Sequence, residues 1–422
     1  MSKRNIVLIT FDSLRADHCS FMGYERKTTP TIDKMARKGL YFENAVAASV
    51  PTAPSIMACF TGDYSLNNAI DFTAEKWRRE IALRKTLAEV LLEKGYETVA
   101  FHANPYVSSY FGFNKGFKLF VDFVKESEIE TLKSNSRLKT FVWSIKKIIK
   151  KESSCIPWEK YYDVIINTVK ELKEPYFLWV LLLDTHTPYY PPKHFKHWCK
   201  TNSIYLTYIY WKLNKQDWKA DTKNERIINA YDDCIRYADT FVKRLWDDLK
   251  DSDPIFIIHA DHGDGFGEHG FYHHPPMLYE QLIHVPLVIY NADVKGRREE
   301  PVSLKDLGST MLELIGEGNE FPSKSFLHGT REEWVISKVF EKGKRKVAVR
   351  TKDWKFITGQ KEEDELYYLK EDPYEQENVI NKYPKLAKEM RKIVKIHVKQ
   401  EMEKRRIRER ISRLNVRVGD DG

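Results

Sequence analysis

The sequence lacks any apolar run long enough to cross a bilayer. The longest, Phe177-Leu-Trp-Val-Leu-Leu-Leu183, falls far short of the roughly 20 residues that a spanning helix needs. No terminal segment reads as a signal peptide, because the apolar stretch after Lys3-Arg4 already stops on Asp12. Cysteine is scarce. The five residues (Cys19, Cys59, Cys155, Cys199, Cys234) are odd in number and show no CxxC or Cys–His spacing. That excludes a disulfide framework and a structural zinc knot, and suits reduced thiols in a cytoplasmic protein. Internal repeats and low-complexity linkers are also missing. The net charge of +8 is small for 422 residues and sits largely in the C-terminal tail, so no nucleic-acid partner is expected.

What is present is the composition of a globular enzyme-sized chain, 42% apolar and 31% charged. Its length allows a large core and one appended subdomain. Short apolar runs at Ile6–Phe11, Thr98–Phe101, Tyr176–Leu183, Ile255–Ile258 and Val285–Tyr290 read as strands buried on both faces of a parallel sheet. Helical patterns lie between them, at Thr31–Gly39 and Leu83–Gly95. Strand–helix alternation predicts an α/β sandwich. Residues 125–170 and 193–230 read as helical insertions over the sheet edge. Short strands at Glu333–Val339, Lys346–Thr351, Trp354–Thr358 and Leu366–Tyr368 predict a small antiparallel sheet. The expected division is a catalytic domain over 1–326, an α+β subdomain over 327–383 and a basic helical tail over 384–422.

Three predicted strands end on a carboxylate: Asp12, Asp184 and Asp261. Ligands of open α/β sheets bind at the carboxyl ends of the strands, so these acids are candidates for one site. Asp261-His-Gly263 adds an imidazole, and Gly263 permits the turn that lets Asp261 and His262 share a target. Asp12, Thr52, Asp261 and His262 together supply three oxygens and one nitrogen, a donor set for Mn²⁺, Zn²⁺ or Mg²⁺. Thr52 precedes a helical stretch with Pro54 near its first turn. A helix N-terminus favours anions, and a metal there could activate the hydroxyl against a phosphate or sulfate ester. Taken singly, each motif also has a plain reading: an N-cap threonine, a surface Asp-His-Gly turn, a polar loop stiffened by Pro188. His186, two residues after Asp184, and His274, beside Pro275 and Pro276, are candidates to bind an anion or protonate a leaving group. His269 and His273 are weaker candidates. Arg15 and Lys115 are further candidate anion contacts.

In order along the chain, four blocks resemble the sulfatase branch of the alkaline phosphatase superfamily. Asp12-Ser-Leu-Arg-Ala-Asp-His18, with Gly23-Tyr24 and Thr29-Pro-Thr-Ile-Asp33, is similar to the family's opening metal motif. Thr52-Ala-Pro-Ser-Ile-Met-Ala-Cys-Phe-Thr-Gly62-Asp-Tyr64 is similar to its nucleophile signature. Asp261-His-Gly263, with Gly267-Glu-His-Gly270 and Tyr279-Glu280 through Val285-Pro286, resembles its second metal block. Ala348-Val-Arg350, Trp354-Lys355 and Glu365-Leu-Tyr-Tyr-Leu-Lys-Glu-Asp-Pro373 resemble its C-terminal subdomain. The resemblance implies an alkaline-phosphatase-like three-layer sandwich with a mainly parallel sheet. It also implies a metal-dependent ester hydrolase acting on a small-molecule, glycan or lipid-head-group ester.

Four departures stand out. Family sulfatases carry a cysteine or serine, matured to formylglycine, where this chain has Thr52. Threonine carries an extra methyl and cannot give formylglycine. The arginine that usually follows Pro-Ser is Ile56. The second of two adjacent metal-binding aspartates is Ser13, and the usual Asp-Asn pair reads Asp261-His262. Fewer carboxylates and one imidazole favour Mn²⁺ or Zn²⁺ over Mg²⁺ and Ca²⁺. Threonine nucleophiles occur in the phosphodiesterase, nucleotide pyrophosphatase and phosphoglycerol-transferase branches, through a phosphothreonine intermediate. A binding protein that kept the fold without the activity is one alternative, a nucleic-acid or membrane-surface protein acting through its basic tail is another, and a homo-oligomer is left open.

Overall fold

The computed structural model describes residues 3–65, 73–124, 156–199, 225–327, 333–341, 344–360 and 362–419. Its main-sheet strands are β1 (Ile6–Phe11), β2 (Leu40–Val46), β3 (Glu97–His102), β4 (Leu119–Asp122), β5 (Tyr176–Leu182) and β6 (Ile255–Ala260). After a two-stranded ribbon of β7 (Gly265–Phe266) and β8 (Tyr272–His273) come β9 (Leu287–Tyr290) and β10 (Gly296–Ser303). The eight-stranded order is β10-β2-β9-β6-β1-β5-β3-β4. Only β9 runs against the rest of this sheet.

Every residue of β1, β5 and β6 is buried, which is why their sequences are continuously apolar. Each Ile, Leu or Phe so buried contributes about 1.5–3 kcal/mol relative to an exposed one. The strands β2, β4 and β10 escaped the sequence pattern. The first half of β10, Gly296-Arg-Arg-Glu, is exposed at the sheet edge and carries no apolar face.

Helices follow the strands: α1 (Pro30–Lys38), α2 (Thr52–Thr61), α3 (Ala74–Ala82), α4 (Leu87–Glu93), α5 (Glu159–Glu171), α6 (Glu225–Leu249), α7 (Glu280–Ile283) and α8 (Leu307–Leu314). The single helix expected over Leu83–Gly95 begins later. Thr86 is its N-cap, in a capping box with Glu89, and Leu83 closes the helix before it. Of the two expected insertions, residues 125–155 and 200–224 lie outside the described residues. Helix α5, within the first expected insertion, belongs to the main core, as does α6, which begins in the last residues of the second and runs well beyond it. Tyr161, Tyr162, Ile165 and Ile166 of α5 are buried there, and α6 buries one full face against it.

The smaller sheet is antiparallel, in the order β11 (Trp334–Glu341), β12 (Lys344–Thr351), β13 (Trp354–Gly359) and β14 (Glu365–Tyr368). On it lies the first part of α9 (Pro384–Gly419), whose Ala387, Met390 and Val394 pack with Val347, Val349, Phe356 and Leu366. A buried ion pair between Lys338 and Glu401 pins α9 further along. The two sheets are joined through charge. Lys355 Nζ is buried between Glu280, at 3.0 Å, and Glu375, at 2.6 Å, while Arg350 reaches Glu280 at 3.1 Å. No helix among the described residues is long and apolar enough to cross a membrane. Cys19, Cys59, Cys199 and Cys234 are buried.

Candidate active site

Strands β6, β1, β5 and β3 are adjacent and parallel, so their carboxyl ends share one edge. Register then decides which side chains meet. Phe11 pairs with Ala260, so Asp12 and Asp261 leave the sheet side by side. Phe11 also pairs with Leu182, which puts Leu183 level with Asp12 and Asp184 one step beyond. Asp184 therefore does not join the other two acids. Its carboxyl lies near Glu159 instead, and burial pushes it up to about 7.

Asp12, Asp261 and His262 are fully buried, and one ligand atom from each lies within 4.8 Å of the others. The His262 Nδ1–H donates to the Gly263 carbonyl at 2.8 Å, which leaves Nε2 with a bare lone pair. That Nε2 is 3.2 Å from Thr52 Oγ1, 3.5 Å from Asp261 Oδ2 and 3.9 Å from Asp12 Oδ1. The Thr52 hydroxyl is also 3.5 Å from Asp12 Oδ2. Gly263 is needed less for a turn than for room. A Cβ there would stand 2.1 Å from the Gln281 carbonyl oxygen.

Electrostatics set the three donors apart. Burial, and then the Asp12 charge, push Asp261 well above the usual carboxylate range. Burial also acts to raise Asp12, but the imidazoles of His186, His262 and His274 and the Asn104 amide outweigh it. Burial lowers His262, keeping it a neutral ligand. Two buried carboxylates side by side carry a desolvation cost of several kcal/mol per ion unless a positive charge compensates them. Asp261 Oδ2 is buried without a hydrogen bond. These donors fit a divalent cation of the Mn²⁺, Zn²⁺ or Mg²⁺ type.

Thr52 is the first residue of α2, after Pro51 in extended conformation. No side chain caps this helix, so its leading N–H groups remain for another acceptor. Ser55 Oγ donates to the Asp261 carbonyl at 2.6 Å and ties the helix to β6. The departure at Ile56 leaves no gap, because that side chain is buried in the main core.

His186 and His274 stand over the site with ring centres 5.2 Å apart, and His274 is 4.6 Å from His262. Nδ1 of His186 is used on the Thr187 carbonyl, and that of His274 on Asp264 at 3.2 Å. Nε2 of each is left for another partner. Asp264 is itself bonded by the Tyr189 hydroxyl.

Two expected anion contacts are corrected. The Arg15 guanidinium is spent on Asp17 at 2.7 Å, Glu268 at 2.9 Å and the Asp264 carbonyl at 3.1 Å. Lys115 Nζ donates to the carbonyls of Ile81, Ala82 and Arg84 and pairs with Glu89, closing the end of α3. His269 stacks on Tyr279 at 3.8 Å and meets the Tyr374 carbonyl, while His273 pairs with Gly265 in the β7–β8 ribbon.

Sequence reasoning missed Asn104. Its Nδ2 donates to Asp12 Oδ2 at 2.6 Å, and its Oδ1 caps the following turn at Tyr106. The available signal was its position just past a predicted strand, in an Asn-Pro pair. Asp264 and Ser13 were missed too. Ser13 has φ 68° and gives its N–H to Asp261 Oδ1 at 3.1 Å.

Residues 4–317 match the family model described as Sulfatase. An arylsulfatase of Clostridium perfringens is 24% identical over 93% of this chain and 94% of its own length. The phosphoethanolamine transferase EptA of Escherichia coli O157:H7 is 23% identical over 74% of this chain and 53% of its own. Among solved structures, the phosphonate monoester hydrolase of Agrobacterium radiobacter superposes with a TM-score of 0.70. Its identity is 18%, over 94% of this chain and 96% of that one.

Proposed function

The chain belongs to the sulfatase family of ester hydrolases, and from that premise we propose that it cleaves a phosphate or sulfate ester by attack of the Thr52 hydroxyl. One observation carries this reading: Oγ1 lies 3.2 Å from a bare imidazole nitrogen and 3.5 Å from a carboxylate at an uncapped helix start. Asp12, Asp261, His262 and Thr52 would hold a divalent cation, which when bound lowers the pKa of the hydroxyl and draws charge from the ester oxygens.

Thr52 Oγ1 passes its proton to solvent water and attacks phosphorus or sulfur in line. The bond to the leaving oxygen breaks, and His186 or His274 supplies the proton that this oxygen takes. The group now sits on Thr52. Water attacks the same phosphorus or sulfur and returns a proton to that histidine, and the Oγ1 bond breaks, Oγ1 regaining its proton from solvent to restore the hydroxyl. The leading N–H groups of α2 are placed to hold the equatorial oxygens.

Threonine favours phosphorus over sulfur. A formylglycine hydrate can expel sulfate by collapsing to its aldehyde. Thr52 has no second hydroxyl on Cβ, so its ester must be opened at the central atom. The EptA relatives, named as phosphoethanolamine transferases, point the same way. They favour a second reading in which an acceptor hydroxyl replaces water. The arylsulfatase relative supports an aryl sulfate as the alternative ester.

The test is a panel of aryl sulfate, phosphate monoester, phosphate diester and phosphonate monoester, with acid-quenched chain examined by peptide mass spectrometry. A phosphoryl or sulfuryl group on Thr52 supports the reading. Turnover with no labelled Thr52 peptide under burst conditions overturns it.

A further inference from the structure

Helix α9 combines two properties. The first is charge. Between Pro384 and Gly419 stand thirteen Lys and Arg against four Glu, a net +9, while the whole chain carries +8. Everything outside this helix therefore sums to −1. The second is exposed apolar surface. The three most exposed large apolar side chains among the described residues are Ile396 at 60%, Ile407 at 52% and Met402 at 49%, and all lie on this helix.

The two properties share one geometry. Ile396 and Ile407 are eleven residues apart, three turns, and so occupy one face. From Ile407 the sequence continues Ile411, Leu414 and Val418, at i+4, i+7 and i+11. Beside them, one position earlier each time, run Arg406, Arg410, Arg413 and Arg417. By position, a line of arginines thus borders a line of aliphatic residues along the helix. The opposite face is the one already occupied: Ala387, Met390 and Val394 pack on the small sheet, and Glu401 is bound to Lys338.

We propose that the C-terminal half of α9 is a docking helix for an anionic lipid bilayer surface. Two other occupants would each answer one property alone. A nucleic acid would neutralise the arginines but leave the isoleucines in water. A second copy would cover the isoleucines but set one line of arginines against another. A bilayer interface takes both at once: aliphatic side chains enter the acyl boundary, and arginines extend to the lipid phosphates. This inference does not depend on the chemistry assigned to Thr52.

The test uses the full chain and sedimentation with vesicles. One set contains phosphatidylcholine alone and the other adds phosphatidylglycerol. The chain should pellet with the anionic vesicles and not with the neutral ones, and rising salt should weaken binding. Arg406→Gln with Arg410→Gln and Arg413→Gln should weaken it roughly 100-fold. Ile407→Asp with Ile411→Asp should weaken it while leaving all thirteen cations in place. Both variants alter only the far end of the helix, and an unchanged melting temperature checks the fold. Three results would overturn the proposal: no binding to anionic vesicles, tighter binding to duplex DNA or transfer RNA than to the vesicles, or a stable dimer that Ile407→Asp dissolves.

Discussion

Thr52 and His262 meet at 3.2 Å, hydroxyl oxygen to Nε2, while the other ring nitrogen is fixed by the Gly263 carbonyl. The imidazole Nε2 can thus accept a hydrogen bond from the hydroxyl or offer its lone pair to a cation. The candidate metal donor and the proposed nucleophile are brought together by two segments 210 residues apart.

The nucleophile assignment predicts that Thr52→Ala loses at least about 10³-fold in turnover, the scale seen when a covalent nucleophile is removed. Thr52→Ser keeps the hydroxyl and should retain part of the activity. Melting temperature should not change, since one methyl and one hydroxyl are all that is lost. An alanine variant with near wild-type turnover sinks the mechanism.

Chelation should remove activity, and Mn²⁺ or Zn²⁺ should restore it better than Ca²⁺. The motive is His262 among the donors and Ser13 in place of a second aspartate. Metal analysis of His262→Ala should show reduced content. Best recovery with Ca²⁺ would refute this donor set.

Asn104 holds Asp12 by a 2.6 Å hydrogen bond without offering a charge of its own. Asn104→Ala should cost about 10–100-fold in turnover or metal affinity, as for other partners of ligating carboxylates. Asn104→Asp should be worse, because it sets a third carboxylate against Asp12 and Asp261. Wild-type kinetics from both variants would remove Asn104 from the site.

Asp184 should make stability fall with pH in a defined window. Burial, then the Glu159 charge, raise it from the ordinary 3.8 to about 7 in the folded chain. It therefore binds its proton more tightly folded than unfolded. The stability this contributes is complete below about pH 4 and is lost as pH rises through 7. Asp184→Asn stays neutral throughout. Relative to wild type it should gain roughly 1–3 kcal/mol between pH 4 and pH 8. Denaturant melts that keep a constant difference across that range would count against it.

The sequence disclosed the fold where burial is two-sided and the site where chemistry is tied to a recognisable motif. Strands β1, β5 and β6 were legible because both faces are apolar. Helix α6 was not, although it is 25 residues long. Its buried face carries Asp232, Asp233 and Asp239, which break the apolar stripe. Each is there for a partner. Asp239 accepts from the leading N–H groups of α1, Asp233 from those of His197, Trp198 and Cys199, and Asp232 takes His18, Tyr24 and Arg26. Such service cannot be read from spacing. Arg15 and Lys115 were misread for the converse reason. A long cation near a motif looks like an anion contact, and only coordinates reveal that it folds back on its own backbone and acids.

Lys355 lies with no exposure between Glu280, the first residue of α7, and Glu375, beyond the last strand of the small sheet. This fixes where the chain tolerates a seam. A recombinant whose small sheet lacks counterparts of Arg350 and Lys355 would strand Glu280 as a lone buried carboxylate. Breaking such a buried pair by removing one partner costs about 3–5 kcal/mol. The linked portion runs from Glu280 to Glu401, across what the sequence alone divides at residue 327. Shuffled libraries of this chain should yield fewer folded members when a crossover separates Glu280 from Lys355 or Lys338 from Glu401.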